Sequence, residues 1–80
     1  MRLDKYLKVS RLIKRRTVAG EACSGGRVSV NGRVAKPSHE VKPGDVIELS
    51  FGQKNLRVQV LSIQEAVRKD DAAGMYKELS

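Results

Sequence analysis

Cysteine and aromatic residues are scarce in this chain of 80 residues, which contains one Cys, no Trp, two Tyr and one Phe. A single cysteine cannot form an internal disulfide, so the framework of a small disulfide-rich secreted domain is excluded and a cytoplasmic protein is expected. Three aromatic side chains offer few platforms for base stacking, which argues against binding of single-stranded nucleic acid. No apolar run approaches the roughly 18 residues of a membrane span, and the charged N-terminus is unlike a signal peptide.

Residues that carry chemistry are also few. His39 is the only histidine, and no metal site is expected without a second His or a Cys at ligand spacing. Cys23 has no base near it in sequence and is interpreted as a small apolar side chain. Asp45 and Glu48 do not have the spacing of a catalytic pair, and Gly25-Gly26 ends a helix instead of cradling a phosphate. We therefore expect neither an enzyme nor a bound cofactor.

Positive charge is what the chain has in excess, with 16 Lys and Arg against nine Asp and Glu and a net charge of +7. Seven basic residues and one acid fall within the first 16 positions, a net +6, while the other 64 positions hold nine basic and eight acidic residues, a net +1. The seven basic residues, named here the basic patch, are Arg2, Lys5, Lys8, Arg11, Lys14, Arg15 and Arg16. Such a patch attracts polyphosphate, because each cation that neutralises a phosphate releases condensed counterions. A merely solvated helix face is the alternative, and the strong clustering argues against it.

Two helices are predicted at the N-terminal end. A first helix over about residues 2–9 follows from apolar residues at i, i+3 and i+4, which are Leu3, Tyr6 and Leu7. A second helix is predicted to begin after Thr17, whose hydroxyl suits an N-cap, and to end at Gly25-Gly26. The apolar side of the second helix is predicted to comprise Val18, Ala22 and Cys23.

The period of the pattern then changes to two, which is typical of strands. Strands are predicted at residues 27–30, 33–35, 46–51 and 56–60, the last with a possible extension to residue 63. Asn31-Gly32 is a strong signal for a type I′ hairpin turn, and Val41–Asp45 predicts a further turn. The tail from Asp70 to Leu79 is predicted to form a short helix, with an internal Gly74 that costs about 1 kcal/mol relative to Ala. The fold class is therefore α+β, with two N-terminal helices packed on a small antiparallel sheet and a short C-terminal helix.

The predicted target of the basic patch is folded RNA. The two helices lack the apolar pattern of a three-helix DNA-reading domain, and the strands that follow them are unlike the common helical DNA-binding modules. With few aromatic side chains, the patch would contact the backbone and read the shape of the RNA.

Asp4 is the one acid among these cations, and two interpretations of it stay open. In the first, Asp4 is a first-turn acid that offsets the helix dipole and pairs with Lys8 four residues on. In the second, it orients a neighbouring arginine, Arg11 or Arg16, toward a phosphate.

The order helix, basic turn, helix, Gly-Gly, V-S-V-N-G-R-V and V-K-P-G-D resembles the RNA-binding domain named after ribosomal protein S4. The matching segments are Arg2–Leu7, Arg15–Thr17, Gly26–Val28, Val30–Gly32 and Val41–Asp45. The resemblance covers about residues 2–50, which we assign as the S4 RNA-binding core of a single domain spanning residues 1–80. Residues 51–80 are assigned to the last strand and the C-terminal helical tail. The resemblance implies that the two helices lie on structured, usually ribosomal, RNA.

The opening R-L-D-K-Y-L-K-V-S-R-L-I-K-R-R-T, the F-G-Q-K turn and the A-A-x-M-Y tail are similar to the RqcP family of stand-alone bacterial S4 proteins. That resemblance implies binding to obstructed large ribosomal subunits that carry peptidyl-tRNA, with contacts to large-subunit rRNA and to the tRNA. It further implies a role beside RqcH, a NEMF-family factor, in C-terminal alanine tailing of stalled chains. Off the ribosome we expect a monomer. The RNA-binding residues that the charge pattern and the resemblance imply are Arg2, Asp4, Lys5, Lys8, Arg11, Lys14, Arg15, Arg16, Thr17 and Arg27.

Two other functions stay open at this point. A heat-shock-type S4 protein would recycle free large subunits without tailing. Its members usually carry a longer basic C-terminal extension, so the last residues, Glu78-Leu79-Ser80, favour the RqcP assignment. A protein-interaction adaptor would instead bring its basic face to an acidic protein partner.

Overall fold

The computed structural model describes residues 1–64 and 72–79 and shows two helices packed on one face of a five-stranded sheet. The elements in chain order are α1 (Leu3–Val9), α2 (Arg16–Ser24), β1 (Val28–Val30), β2 (Arg33–Val34), β3 (Val46–Phe51), β4 (Lys54–Val60), a 3₁₀ helix (Ala72–Met75) and β5 (Tyr76–Glu78). The strand order is β2-β1-β3-β4-β5, and all neighbouring strands are antiparallel. The predicted α+β fold, with its two helices and antiparallel sheet, is confirmed. No helix of the described residues is long and apolar enough to cross a membrane.

The core lies between the helices and one face of the sheet. Its main side chains are Leu3, Tyr6, Leu7, Ala19 and Cys23 from the helices, and Val28, Val30, Ile47, Leu49, Val58 and Val60 from the strands. Within β3, Ile47 and Leu49 are buried while Glu48 and Ser50 are exposed, the alternation of a sheet with one solvated face. The other face is polar, and on it Glu48 lies opposite Arg57 of β4.

The Asn31-Gly32 turn between β1 and β2 is confirmed, with φ of 54° and 84° at its two central residues. The Asn31 side chain also fixes β3, because its Oδ1 accepts from the amide of Val46 at 2.9 Å and its Nδ2 donates to Asp45 at 3.1 Å. Asp45 in turn accepts from the amide of Lys42 at 3.0 Å. The V-N-G and V-K-P-G-D segments therefore hold two turns together, which is a structural role.

The N-terminus of α1 is joined by backbone hydrogen bonds to the loop before β3. The amide of Leu3 donates to the carbonyl of His39 at 2.8 Å, and the amide of Asp4 donates to that of Pro37 at 3.1 Å. The amide of Val41 donates back to the carbonyl of Met1 at 2.9 Å. These donors of α1 are therefore satisfied within the protein, so the two amides are not available to bind a phosphate.

The predictions for α2 were wrong in two details. The helix begins at Arg16, and Arg15 occupies the N-cap position without a side-chain cap, so Thr17 lies inside the first turn instead of capping it. Val18 is 45% exposed, whereas Ala19 and Cys23 are buried. Ala19 and Cys23 are four residues apart and share one face, and these small side chains suit the close packing of α2 on α1.

The C-terminal helix predicted over Asp70–Leu79 was wrong from Tyr76 onward; its first two residues lie outside the described part. A 3₁₀ helix precedes β5, which pairs with β4 through Val58↔Glu78 and Val60↔Tyr76. The carbonyl of Met75 accepts from the Tyr6 hydroxyl and from the amide of Leu61, both at 2.8 Å. Strand pairing satisfies the backbone groups at the edge of β4, an advantage that a marginal short helix could not offer.

Candidate RNA-binding face

The predicted RNA-binding residues cover α1, the turn after it and the start of α2, with one outlier. Arg27 lies apart, on the loop between α2 and β1. The exposed members are Arg2, Lys8, Arg11, Lys14, Arg15, Arg16, Thr17 and Arg27. Lys5 is half-buried, and Asp4 is 7% exposed. The exposed cations are therefore accessible to a polyanion, while Asp4 is buried beneath them.

Asp4 joins two arginines that are distant in sequence. Its Oδ1 and Oδ2 accept from Arg2 Nε at 3.2 Å and Arg2 Nη2 at 3.3 Å, a two-point contact that fixes the guanidinium plane. Arg16 Nη2 lies 3.6 Å from Oδ1. Oδ1 also accepts from the amide of Lys5 at 2.8 Å, which fixes the carboxylate in its place on α1.

This geometry bears on both interpretations of Asp4. The carboxylate lies in the first turn of α1, where it suits the helix dipole, but its ionic partners here are Arg2 and Arg16 and not Arg11. The side chain of Asp4 is 10% exposed, while those of Arg2 and Arg16 are 52% and 49% exposed. Each guanidinium has five N–H donors, so both arginines keep donors for a phosphate while Asp4 holds them side by side.

Arg11 adopts a left-handed backbone conformation, with φ of 64°. It follows the C-cap Ser10 of α1, and its amide donates to the carbonyl of Lys8 at 3.1 Å. Glycine is the usual residue at this position, because an L-residue there costs roughly 1–2 kcal/mol. The cost is offset in part by a cation at the helix C-terminus. The sequence pattern had no signal for this conformation, since no Gly or Asn marks the end of α1.

Cys23 lies beneath this face and is buried. Burial, with the nearby charge of Asp4, raises the pKa of the Cys23 thiol to about 11. The thiol is therefore protonated at neutral pH and is a poor nucleophile, in agreement with its interpretation as a packing side chain. Within residues 1–64 and 72–79, no three His, Cys, Asp or Glu side chains are grouped as metal ligands.

The fold and this face together define a class of protein: a small α+β domain that presents clustered arginines and lysines on two helices to a polyanion. The S4 domain family matches residues 1–47. A protein of Streptococcus pneumoniae named RQC P-site tRNA stabilizing factor is 56% identical over 80 residues, which cover 100% of this chain and 91% of that protein. Its namesake in Bacillus subtilis is 57% identical over 76 residues, covering 95% of this chain and 88% of its own.

Two solved structures have the same fold. One is Heat Shock Protein 15 of Vibrio cholerae, whose structure is described as trimeric. It superposes on this chain with a TM-score of 0.92 and 34% sequence identity, and the match covers 100% of this chain and 82% of the Vibrio chain. The hypothetical protein HP1423 superposes with a TM-score of 0.85 and 35% identity, over 100% of this chain and 98% of its own. The chain belongs to the S4 domain family and, within it, to the group of RQC P-site tRNA stabilizing factors. The family resemblance predicted from the sequence is thereby confirmed.

Proposed function

We propose that the protein is a non-enzymatic RNA-binding factor of ribosome-associated quality control. In this role it binds large ribosomal subunits that carry peptidyl-tRNA, and the basic patch contacts large-subunit rRNA and the tRNA. The near full-length match to relatives named for the P-site tRNA supports these partners. The observation that carries the proposal is the Arg2–Asp4–Arg16 cluster, since it holds two half-exposed guanidinium groups side by side on the patch. A role on the ribosome implies a cytoplasmic protein.

Co-sedimentation with purified large subunits carrying peptidyl-tRNA tests this proposal. Arg16→Ala should weaken the association, because Arg16 would lose its phosphate contact, and it should leave the fold intact because the side chain is half-exposed. Arg57→Ala is the matched control, since Arg57 lies on the solvated face of the sheet. Equal loss in the two variants, or loss in neither, would contradict the assignment of the patch. Circular dichroism of both variants verifies that they are folded.

A finer part of the proposal is support of RqcH-dependent alanine tailing. It rests on the family resemblance and has its own test. The chain would be expressed in a Bacillus subtilis strain that lacks its 57% identical relative, and alanine tails on stalled chains would be measured. Restored tails support the role. Absent tails, with normal association with the subunits, would leave RNA binding in place and remove the tailing role.

Recycling of free large subunits is a second candidate, favoured by the close superposition on Heat Shock Protein 15. The two candidates differ in their preferred particle. A quality-control factor should co-sediment better with subunits that carry peptidyl-tRNA, whereas a recycling factor should co-sediment better with free subunits. Deletion of the gene is a second test, because loss of a recycling factor should leave alanine tails unchanged.

A protein-interaction adaptor is distinguished by competition. Its binding to an acidic protein partner should not change when large-subunit rRNA fragments are added.

A further inference from the structure

A surface hollow adjoins the basic patch at the C-terminal end of α2. Its volume is about 570 Å³, within the range of roughly 300–1,000 Å³ typical of small-ligand sites. One wall contains Cys23 and Ser24 of α2, and the opposite wall is the segment Val34–Ser38. Arg2 lies at the rim and belongs both to the hollow and to the Asp4 cluster.

The walls of this hollow are held by backbone hydrogen bonds. The amide of Ala35 donates to the carbonyl of Val28 at 3.0 Å, which fixes the segment against β1. The carbonyl of Pro37 accepts from the amide of Asp4 at 3.1 Å, which fixes the segment against α1. The hollow is therefore formed before any ligand arrives, so a ligand would not have to order these walls on binding.

The lining combines an apolar floor with a cationic rim. Ala35 and Cys23 are buried beneath it, and Val34 is 67% exposed beside it. Arg2 and Lys36 supply two cations, and none of the described residues that line the hollow is acidic. Apolar surface next to positive charge matches a nucleotide, in which a flat base is joined to an anionic phosphate.

We propose that this hollow receives a single unpaired nucleotide of the structured RNA that the basic patch binds, with its base against the apolar floor and its phosphate at Arg2 and Lys36. The inference rests on the proposed function and deepens it. It adds a site for one particular nucleotide of the RNA to a surface that otherwise contacts the RNA backbone. Arg2 makes the two sites continuous, so the bulged strand can pass from the patch into the hollow. Base recognition thus needs no aromatic platform.

The test uses two RNA hairpins that differ only by one bulged adenosine in the stem. The full-length protein should bind the bulged hairpin at least about fivefold more tightly than the fully paired one, a difference of about 1 kcal/mol in binding free energy. Ser24→Trp should bring this ratio to about one, since the indole occupies the hollow and removes no cation. Ser50→Trp is the matched control, because Ser50 is an exposed serine on β3. This variant should keep the wild-type ratio of affinities for the two hairpins.

A bulged 2-aminopurine provides a second readout. No aromatic side chain lines the described part of the hollow, so the fluorescence of the base should rise when it leaves the stack and enters. The rise should be absent with Ser24→Trp and reduced with Lys36→Gln, while Lys77→Gln on β5 should preserve it. Lys36→Gln also serves as the second variant if Ser24→Trp does not fold.

The outcomes separate the two proposals. Equal binding of both hairpins by the wild type, or a preference that survives Ser24→Trp, would overturn the hollow as a nucleotide site and leave the proposed function standing. Equal hairpin binding together with lost subunit association in Ser24→Trp would overturn it in favour of a protein segment as the occupant. A wild type that binds neither hairpins nor large subunits would remove the proposed function itself.

Discussion

At the residue scale, Asp4 shows how a buried acid can serve a basic surface. Its carboxylate is fixed by the amide of Lys5 and holds Arg2 and Arg16 at 3.2 Å and 3.6 Å. Without it, the two guanidinium groups would repel each other and sample many rotamers. Asp4 lowers the net charge of this surface by one, but it orders the guanidinium groups of Arg2 and Arg16.

Asp4→Asn should therefore weaken RNA binding although it raises the net charge. A charge-assisted hydrogen bond contributes about 1.5–3 kcal/mol, and loss of a part of it predicts roughly a five- to tenfold higher Kd for large-subunit rRNA. Glu48→Gln is the control with the same charge change on the solvated sheet face. It should bind as well as the wild type or slightly better. Tighter binding by Asp4→Asn would show that charge alone governs affinity.

The Cys23 thiol makes the stability of the fold depend on pH. Its pKa rises from an ordinary 9.0 to about 11 through burial and the charge of Asp4. Because the folded pKa is raised, the thiol's contribution to stability is complete below about pH 9 and is lost as the pH rises toward 11. The free energy of unfolding of the wild type should therefore fall across that window more steeply than that of Cys23→Ala. At pH 8, reaction of the folded thiol with Ellman's reagent should be slow and should accelerate in denaturant.

At the element scale, the turn between α1 and α2 combines a strained backbone with a functional charge. Arg11→Gly should remove the cost of positive φ and raise the free energy of unfolding by about 0.5–1 kcal/mol. It should also weaken RNA binding, since one cation of the patch is lost. Arg11→Lys should keep both values close to those of the wild type. A melt with unchanged or lower Tm for Arg11→Gly would contradict the strain.

A buried hydrogen bond from α1 contributes to holding the start of the C-terminal strand in place. Tyr6→Phe removes the donor to the carbonyl of Met75 and should lower the free energy of unfolding by about 1 kcal/mol. Faster hydrogen exchange in β5 should accompany the loss. Tyr76→Phe, at a half-buried tyrosine on the same strand, is the control and should change the stability less. Equal effects would show that the hydroxyl of Tyr6 has no special role.

Elements set by neighbouring residues were predicted from the sequence, whereas those that depend on distant residues were not. Local signals predicted α1, the Asn31-Gly32 hairpin and β3, because amphipathic period and turn chemistry act within a few residues. Strand β5 was missed because its formation depends on the open edge of β4 and on Tyr6, 69 residues before Met75. The patch itself was visible as charge density, but the joining of Arg2 and Arg16 by Asp4 required the packing of α1 on α2.

At the scale of the whole molecule, charge is distributed unequally over the two sides of the fold. The helical side carries the basic patch, while on the solvated face of the sheet Glu48 lies opposite Arg57. A surface with one strongly positive side steers the molecule toward a polyanion in a preferred orientation. The same asymmetry predicts that the salt dependence of RNA affinity comes mainly from cations on the helical side and not from Arg57 on the sheet face.

That dependence can be measured directly. If about five cations of the patch contact phosphates, log affinity for large-subunit rRNA should fall against log salt with a slope of roughly −3.5 to −4.5. Arg16→Ala should make the slope shallower by roughly 0.7–0.9, the contribution of one phosphate contact, whereas Arg57→Ala should not change it. A flat salt dependence in the wild type would rule out electrostatic binding. An equal change of slope in the two variants would show that the charge acts through the net total and not through the helical side of the molecule.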